Sequence, residues 1–385
     1  MMRKILRLLT GGCLGLLAAA LGPTPAAAQP RAYVTNEFSN NVSVIDTRTN
    51  TVTATLDVTP GVGPRPVAIT PNGRFVYVAN HGSNPNTVSV IDTADDSVKA
   101  TITVGTGPTR GGFSINSACA YAINEGSNNI SVIDTSSMTV VATVDTGLAP
   151  TGGAITPHGE SAVLLNQGSN DVWVYDLTGD PCNPAPPPPE AKIAVDISPR
   201  LALIPPDGRF LYVLGVGSDI VVIDLMNLAV LTTVPVEQVS GGDINQNGHL
   251  LYVTSGVSDS VFVIDTDPGS DTFNTVVDTL HVGNGPLGGG AFRPDGSLFI
   301  LANAQAQLLA IDTDPQSPTY KTVVCSLNLT GLTDDDRGAF TQDGATLYVT
   351  HRLANAVWAI DVAACQVTTS ITVGTNPTHL AVTPF

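Results

Sequence analysis

The residues best suited to chemistry are a few cations in a chain that is otherwise acidic. Its 385 residues include 16 Lys and Arg against 33 Asp and Glu, a formal net charge of −17. Eight Arg and His residues precede, begin or follow strands of related sequence: Arg65, His81, Arg110, Arg200, Arg337, His351, Arg352 and His379. Arg offers paired donors to carboxylates and phosphates, and His titrates near neutral pH. These cations predict a site for a small anion or acidic group, and pairing with Glu125 and Asp334–Asp336 is the alternative.

Aspartates recur so regularly that they indicate folding rather than catalysis. One ends each copy of a VSVIDT-like segment: Asp46, Asp92, Asp134, Asp176, Asp224, Asp265, Asp312 and Asp361. A residue repeated once per unit fits an Asx turn that begins the next connection. The segment Asp265–Asp271 alternates oxygen ligands as calcium loops do, but it lacks the glutamate that completes an EF-hand. A turn is therefore favoured over a structural calcium site, and no other cofactor, metal or catalytic residue is predicted.

Four cysteines remain if an N-terminal leader is removed: Cys119, Cys182, Cys325 and Cys365. An even number in an exported chain predicts disulfides, with three connectivities to choose from. Cys119 and Cys182 are expected near the same face of adjacent repeats, which favours that pair and leaves Cys325 with Cys365. Four buried thiols are the alternative. The chain has no C-x-x-C-H motif, so covalently attached haem is not supported.

The first 28 residues predict a secretory signal peptide. Arg3, Lys4 and Arg7 precede an apolar run and the small-residue cleavage site Ala26–Ala28. Loss of those three cations makes the net charge −20, which disfavours nucleic acid as a partner. No later run is long enough to cross a bilayer. We expect an exported protein, periplasmic, on the cell surface or secreted, whose partner is an unidentified protein or a small anionic ligand.

The repeats that carry these residues predict one all-β domain over residues 29–385. The anchor aspartates lie 41 to 49 residues apart, and each repeat contains short β-type segments separated by Asn-Gly or Asp-Gly turns. A period in the forties is typical of β-propeller blades of four strands. Counting repeats gives eight blades, with seven as the alternative if Pro199–Gln238 is not a complete blade. A proline-rich insert, Gly179–Glu190, interrupts the fourth repeat.

The ends of the chain predict how the ring closes. The mature chain begins with a second strand, AYVTN, and ends with a lone innermost strand, His379–Pro384. The last strand is therefore expected to complete the first blade and to leave no open sheet edge. In such blades the loops entering the innermost strand share a face with the loops between the second and third strands. The eight cations are thus expected around one mouth of the central channel.

The segments Tyr33–Asn36 (YVTN) and Tyr77–Asn80 (YVAN), with the repeated VSVIDT, resemble the YVTN-family β-propeller repeats of exported bacterial and archaeal proteins. The resemblance covers essentially all of the mature chain and implies a surface-layer or extracytoplasmic propeller. More distant relatives include lactonases, quinoprotein subunits and nitrite reductases, so the resemblance implies the fold and not the chemistry.

Three functions follow as hypotheses. The first is a non-enzymatic binding or interaction module that uses the channel mouth. The second is a lactonase-like hydrolase in which Glu125, His81 or Arg110 polarises the substrate. The third is a redox propeller associated with a quinone or a non-covalent haem, with His379 as an axial ligand. The absence of a unique acid–base set favours the binding module.

Overall fold

Short β-branched segments alternate with tight turns, and in the computed structural model they pair into eight four-stranded antiparallel blades in a ring. The structure describes residues 30–82, 86–183, 185–216, 219–333 and 336–384. The predicted signal peptide and two of the predicted acidic partners, Asp334 and Asp335, lie outside the described residues. The count of eight is confirmed, because residues 198–235 form a complete blade.

The four strands of each blade run from the channel outward. Blade 1 contains β32 (Pro377–Val382), β1 (Arg31–Asn36), β2 (Asn41–Asp46) and β3 (Thr51–Asp57). Blade 2 contains β4 (Pro64–Ile69), β5 (Phe75–Asn80), β6 (Thr87–Asp92) and β7 (Ser97–Thr103). Blade 3 contains β8 (Pro108–Phe113), β9 (Cys119–Asn124), β10 (Asn129–Asp134) and β11 (Thr139–Asp145). Blade 4 contains β12 (Pro150–Ile155), β13 (Ser161–Asn166), β14 (Asp171–Asp176) and β15 (Ala191–Ala194).

The second half of the ring repeats this order. Blade 5 contains β16 (Ser198–Leu203), β17 (Phe210–Val216), β18 (Asp219–Asp224) and β19 (Ala229–Pro235). Blade 6 contains β20 (Val239–Ile244), β21 (Leu250–Ser255), β22 (Ser260–Asp265) and β23 (Val276–His281). Blade 7 contains β24 (Pro286–Phe292), β25 (Leu298–Asn303), β26 (Gln307–Asp312) and β27 (Val323–Asn328). Blade 8 contains β28 (Gly338–Phe340), β29 (Thr346–His351), β30 (Ala356–Asp361) and β31 (Gln366–Thr372), with a 3-10 turn over Arg352–Ala354.

The predicted closure is confirmed, since the last strand of the chain completes the first blade. β32 pairs antiparallel with β1, with Ala32 opposite Val382 and Val34 opposite Leu380. The pairing continues past the strand, because the Thr383 amide donates to the Arg31 carbonyl at 2.8 Å. The ring is therefore joined by non-covalent bonds between its two ends.

The hydrophobic core is divided among the interfaces between blades. Each of eight buried clusters draws its side chains from two adjacent blades, including the last with the first. Tyrosines of the second strands reinforce several interfaces from the edge: the Tyr33 hydroxyl donates to Asp96 of the next blade at 2.7 Å, and the Tyr212 hydroxyl donates to Asn274 at 2.8 Å. The blades consequently hold one another, and the channel lies along the innermost strands.

The anchor aspartates form turns, as predicted. All eight accept a hydrogen bond from a main-chain amide two or three residues ahead, as Asp134 does from Ser136 and Ser137. Within the calcium-like segment, Asp265 accepts from the Asp267 amide and the Thr272 hydroxyl, which is the geometry of a turn. Repetition of this residue is therefore explained by the fold.

Both predicted disulfides are present. Cys119, at the start of β9, is bonded to Cys182 in the proline-rich insert, with 5.6 Å between their Cα atoms. Cys325 of β27 is bonded to Cys365, which precedes β31, with a Cα separation of 5.5 Å. The insert lies between β14 and β15, as predicted, and the first disulfide ties it to blade 3. Within the part of the chain that the structure describes, no helix has the length and apolarity needed to span a membrane.

Candidate anion-binding channel

The innermost strands bring one residue per blade to the channel. Seven of the eight have a register shift near their start, which in β8 falls between Pro108 and Arg110. Such a bulge redirects the side chain that follows it. Positions equivalent to Arg110 in the other blades are occupied by Pro66, Gly152, Leu201, Gly241, Gly289, Arg337 and His379. Arg65 and Arg200 lie one residue earlier in their strands.

Four of the eight predicted cations meet inside the channel. Arg110, Arg337 and His379 line a cavity of ≈ 290 Å³ that also contacts Pro66 of blade 2. Arg110 and Arg337 also line a larger cavity of ≈ 680 Å³ together with Arg200. Small residues at the equivalent positions of blades 6 and 7 leave the larger cavity wide. The structure therefore collects three guanidinium groups and one imidazole in connected space.

The charges in this cluster oppose one another. Burial lowers the pKa of the Arg110 guanidinium, and the like charges of Arg337 and Arg200 lower it further. The Arg110 side chain is accessible to water, but that water lies in a channel walled by protein, so the desolvation is partial. Cations held together in this way attract an anion strongly, because an anion removes the repulsion and satisfies several donors at once.

Two of the other predicted cations are neutralised at the rim by a carboxylate that the sequence did not single out. Glu37 accepts a hydrogen bond from Arg65 Nε at 2.8 Å, and its second oxygen lies 4.0 Å from Arg352 Nη2. Asn376 completes the group by donating to Glu37 at 2.9 Å. Glu37 follows β1 as His81 follows β5 and Arg352 follows β29, so its place in the repeat was the signal that could have found it.

Of the predicted acidic partners that the structure describes, Asp336 lies in the wall of the larger cavity and Glu125 does not. The Asp336 side chain accepts hydrogen bonds from the Arg352 and Thr333 amides and the Thr333 hydroxyl. Neither Glu125 nor His81 belongs to the wall of the three cavities that Arg110 lines. His81 instead lies with Nδ1 3.3 Å from the Pro108 carbonyl oxygen. Of the three residues that the lactonase hypothesis named as alternatives, Arg110 is the one that lines these cavities.

His351 is buried at the end of β29 and is absent from the walls of the three cavities that Arg110 lines. It replaces the asparagine that ends the second strand in five other blades, and its ring stacks on Trp358 with centroids 3.9 Å apart. Only 9% of His351 is exposed, and its Nδ1 has no hydrogen-bond partner among the described residues. Gly331, at φ +91°, covers the other side, where a Cβ atom would lie 2.7 Å from His351 Nε2. In blade 8, histidine thus takes the place of the usual asparagine, and Gly331 leaves room for its ring.

This burial predicts a stability that falls with acidification. Burial lowers the pKa of His351 below its ordinary value of 6.5, while Asp336 opposes the shift. The unfolded chain therefore takes up the proton first, so the free energy of unfolding declines as pH falls through about 6.5. We expect the melting temperature of His351→Asn to change less between pH 7.5 and 5.5 than that of the wild type. His158→Asn, on an exposed turn, is the matched control and should retain the wild-type slope.

The described residues contain no group of three or more His, Cys, Asp or Glu side chains arranged to hold a metal ion. His379 is the predicted haem ligand that lies in the channel, in the wall shared with Arg110 and Arg337. Three guanidinium groups around one space can form paired hydrogen bonds with a carboxylate or a phosphate.

Comparisons with known proteins support the propeller fold. The family model for "Lactonase, 7-bladed beta-propeller" matches residues 24–101, about a fifth of the chain, although the structure has eight blades. No curated protein is similar in sequence at a significant level. Dihydro-haem d1 dehydrogenase NirN, solved in complex with DHE, is 15% identical with a TM-score of 0.74, over 95% of this chain and 78% of that one.

Two further solved structures are similar at the same level of identity. Apo AztD from Citrobacter koseri is 15% identical with a TM-score of 0.65, over 92% of this chain and 98% of that one. A proposed 6-phosphogluconolactonase from Bacteroides fragilis is 15% identical with a TM-score of 0.60, over 94% and 99%. Identities this low show a shared propeller fold and leave the ligand to be argued from the channel.

Proposed function

We propose that this protein is an exported binding propeller that captures a small, multiply charged organic anion, such as a polycarboxylate, in its channel. The observation that carries the proposal is the convergence of Arg110, Arg200 and Arg337 on one cavity in a chain of net charge −17. Export is supported by the predicted leader and by the two disulfides.

The size and chemistry of the cavity support a small ligand. Its volume of ≈ 680 Å³ lies in the range of small-molecule sites, roughly 300–1,000 Å³. Guanidinium groups bind carboxylates through paired, charge-assisted hydrogen bonds, each contributing about 1.5–3 kcal/mol. A ligand with two or more carboxylates can engage guanidiniums from different blades, and the negative surface elsewhere disfavours binding outside the channel.

The test is isothermal titration of the purified chain with citrate and tricarballylate. We expect Arg110→Gln to weaken binding by roughly tenfold to a hundredfold, the equivalent of one lost charge-assisted bond. Arg74→Gln is the matched control, because Arg74 lies in the turn between β4 and β5 and stacks its guanidinium on Phe75 at 4.9 Å. Equal affinity in the wild type and Arg110→Gln would contradict the proposal.

Lactone hydrolysis is the second candidate, and the family-model match over residues 24–101 favours it. Arg110 would polarise the lactone carbonyl, and Asp336 is the described carboxylate in the wall of the larger cavity. The hydrogen bonds that Asp336 accepts at both oxygens favour a structural role for it. Turnover of a sugar lactone that disappears in Asp336→Asn but persists in Arg74→Gln would select this function. A coloured preparation of the purified protein would instead favour the redox alternative, with a quinone or a haem.

A further inference from the structure

The interface between blades 3 and 4 contains a gap that opens from the channel. A cavity of ≈ 170 Å³ begins at Arg110 and passes between the two blades. Most of its lining residues are apolar, including Ile123, Val132 and Leu164, and the glycines of β8 and β12 widen its entrance. The cavity therefore joins a cation to an apolar slot, which we call the inter-blade slot.

This interface is packed less fully than the others. Its cluster has three buried side chains, Ile123, Leu164 and Tyr175, whereas the other seven described clusters have seven to eleven each. Protein interiors normally fill such space, because an empty apolar gap forfeits dispersion contacts and lowers stability. The ≈ 290 Å³ cavity lies between blades 2 and 3, but the cluster at that interface has eight buried side chains. Among the described clusters, a gap beside so few buried side chains is found between blades 3 and 4.

The proline-rich insert forms the far wall of the slot and is held in place. Pro181, Pro186 and Pro187 line the cavity at a connection that is a four-residue turn in five of the other blades and ten residues long in blades 6 and 7. The Cys119–Cys182 disulfide fixes the insert to blade 3, and the Tyr121 hydroxyl donates to the Pro181 carbonyl at 3.1 Å. Proline-rich segments are stiff, so the insert bounds the slot instead of collapsing into it.

The two ends of the inter-blade slot carry opposite charges. Arg110 lies at the channel end, and Asp176 and Asp180 line the end beneath the insert. Asp176 accepts a hydrogen bond from the Thr178 amide at 2.8 Å, which lowers the pKa of its carboxyl and keeps it ionised. A carboxylate is attracted to the first end and repelled from the second, so an acid with an apolar arm has one favoured orientation.

From these features we infer that the ligand of the channel is an amphipathic organic acid whose apolar arm enters the inter-blade slot while its carboxylates meet Arg110. The inference rests on the proposed function and specifies its ligand class. A cavity of about 150 Å³ lined by apolar side chains accommodates one benzene ring. The slot therefore suits a single aryl ring or an alkyl chain of about four to six carbons.

The test compares malonate, butylmalonate and benzylmalonate by titration calorimetry, using residues 29–385 with both disulfides intact. Each methylene buried tightens the dissociation constant about fourfold. We expect the two substituted acids to bind at least tenfold more tightly than malonate. Ala162→Leu fills the slot from β13 and should erase that gain while leaving malonate affinity unchanged. Ala122→Leu, in the ≈ 290 Å³ cavity on the other side of blade 3, is the matched control and should keep the gain.

The outcomes separate this inference from the proposed function. If malonate binds in an Arg110-dependent way but the apolar arms add nothing, the slot is not a subsite and the anion site stands. A gain that survives Ala162→Leu and disappears in Ala122→Leu would place the arm between blades 2 and 3 and overturn the assignment. If none of the three acids binds while citrate does, this inference fails and the proposed function stands. If citrate does not bind either, both fail.

Discussion

A chain truncated after Asn376 is expected to lose cooperative folding, because the missing residues supply the innermost strand of blade 1. Without β32, the edge of β1 loses its ladder from Ala32 to Asn36, and the interface of blades 8 and 1 loses Leu380. Native domains retain only about 5–15 kcal/mol of net stability, so an opened ring should be poorly soluble or melt at least ~10 °C lower. Differential scanning calorimetry of the truncated and full chains measures this.

A single substitution tests the same closure in a chain that folds. Leu380 is 8% exposed, so Leu380→Ala should reduce the free energy of unfolding by about 2–5 kcal/mol through lost burial and a residual cavity. Leu231→Ala, on the outermost strand β19 with 48% exposure, is the matched control and should change stability by less than about 1 kcal/mol. If Leu380→Ala is no less stable than Leu231→Ala, or if the truncated chain unfolds like the wild type, the ring is not closed by β32.

The fold was predictable because its information is periodic. Alternating apolar segments, Asn-Gly turns and one aspartate per repeat each specify a local structure, and eight copies leave little freedom in how the blades assemble. The closure could be predicted because the mature chain begins with a second strand and ends with a lone innermost strand. The pairing of Cys119 with Cys182 could be predicted because both were expected near the same face of adjacent repeats. Each of these features depends on position in the repeat, which the sequence records directly.

The sequence indicated which cations lie in the channel only in part, and their role in binding a ligand stays a prediction. Equivalent positions in the repeat placed Arg110, Arg337 and His379 at the channel, yet they could not show that Arg65 and Arg352 reach the same carboxylate. That pairing depends on blades 1, 2 and 8 meeting around Glu37, which is a property of side-chain reach across interfaces. The inter-blade slot was equally hidden, since a gap depends on the summed volumes of two facing sheets and leaves no motif in either.

The charges of the channel should cost stability in the empty protein, and their removal should reveal this. The pKa of Arg110 is lowered in the folded state, first by burial and then by Arg337 and Arg200, so its charged form is less favourable there than in the unfolded chain. At neutral pH the Arg110→Gln variant is therefore expected to melt at or above the temperature of the wild type. Added salt should stabilise the wild type more than the variant, because salt screens the repulsion that the variant lacks.

The same variant should lose much of its response to ligand. At a citrate concentration 100 times the wild-type dissociation constant, binding raises the free energy of unfolding by about 2.7 kcal/mol. Loss of the Arg110 guanidinium should weaken affinity by roughly tenfold to a hundredfold and remove about half or more of that increase. Arg65→Gln is the control, since Arg65 is committed to Glu37 at 2.8 Å: it should leave the citrate shift intact and give no gain in the empty protein. An Arg110→Gln variant that melts lower when empty and still responds fully to citrate would make Arg110 structural. Opposite effects on empty and loaded protein distinguish a binding site from a scaffold, because residues kept for folding stabilise the empty state as well.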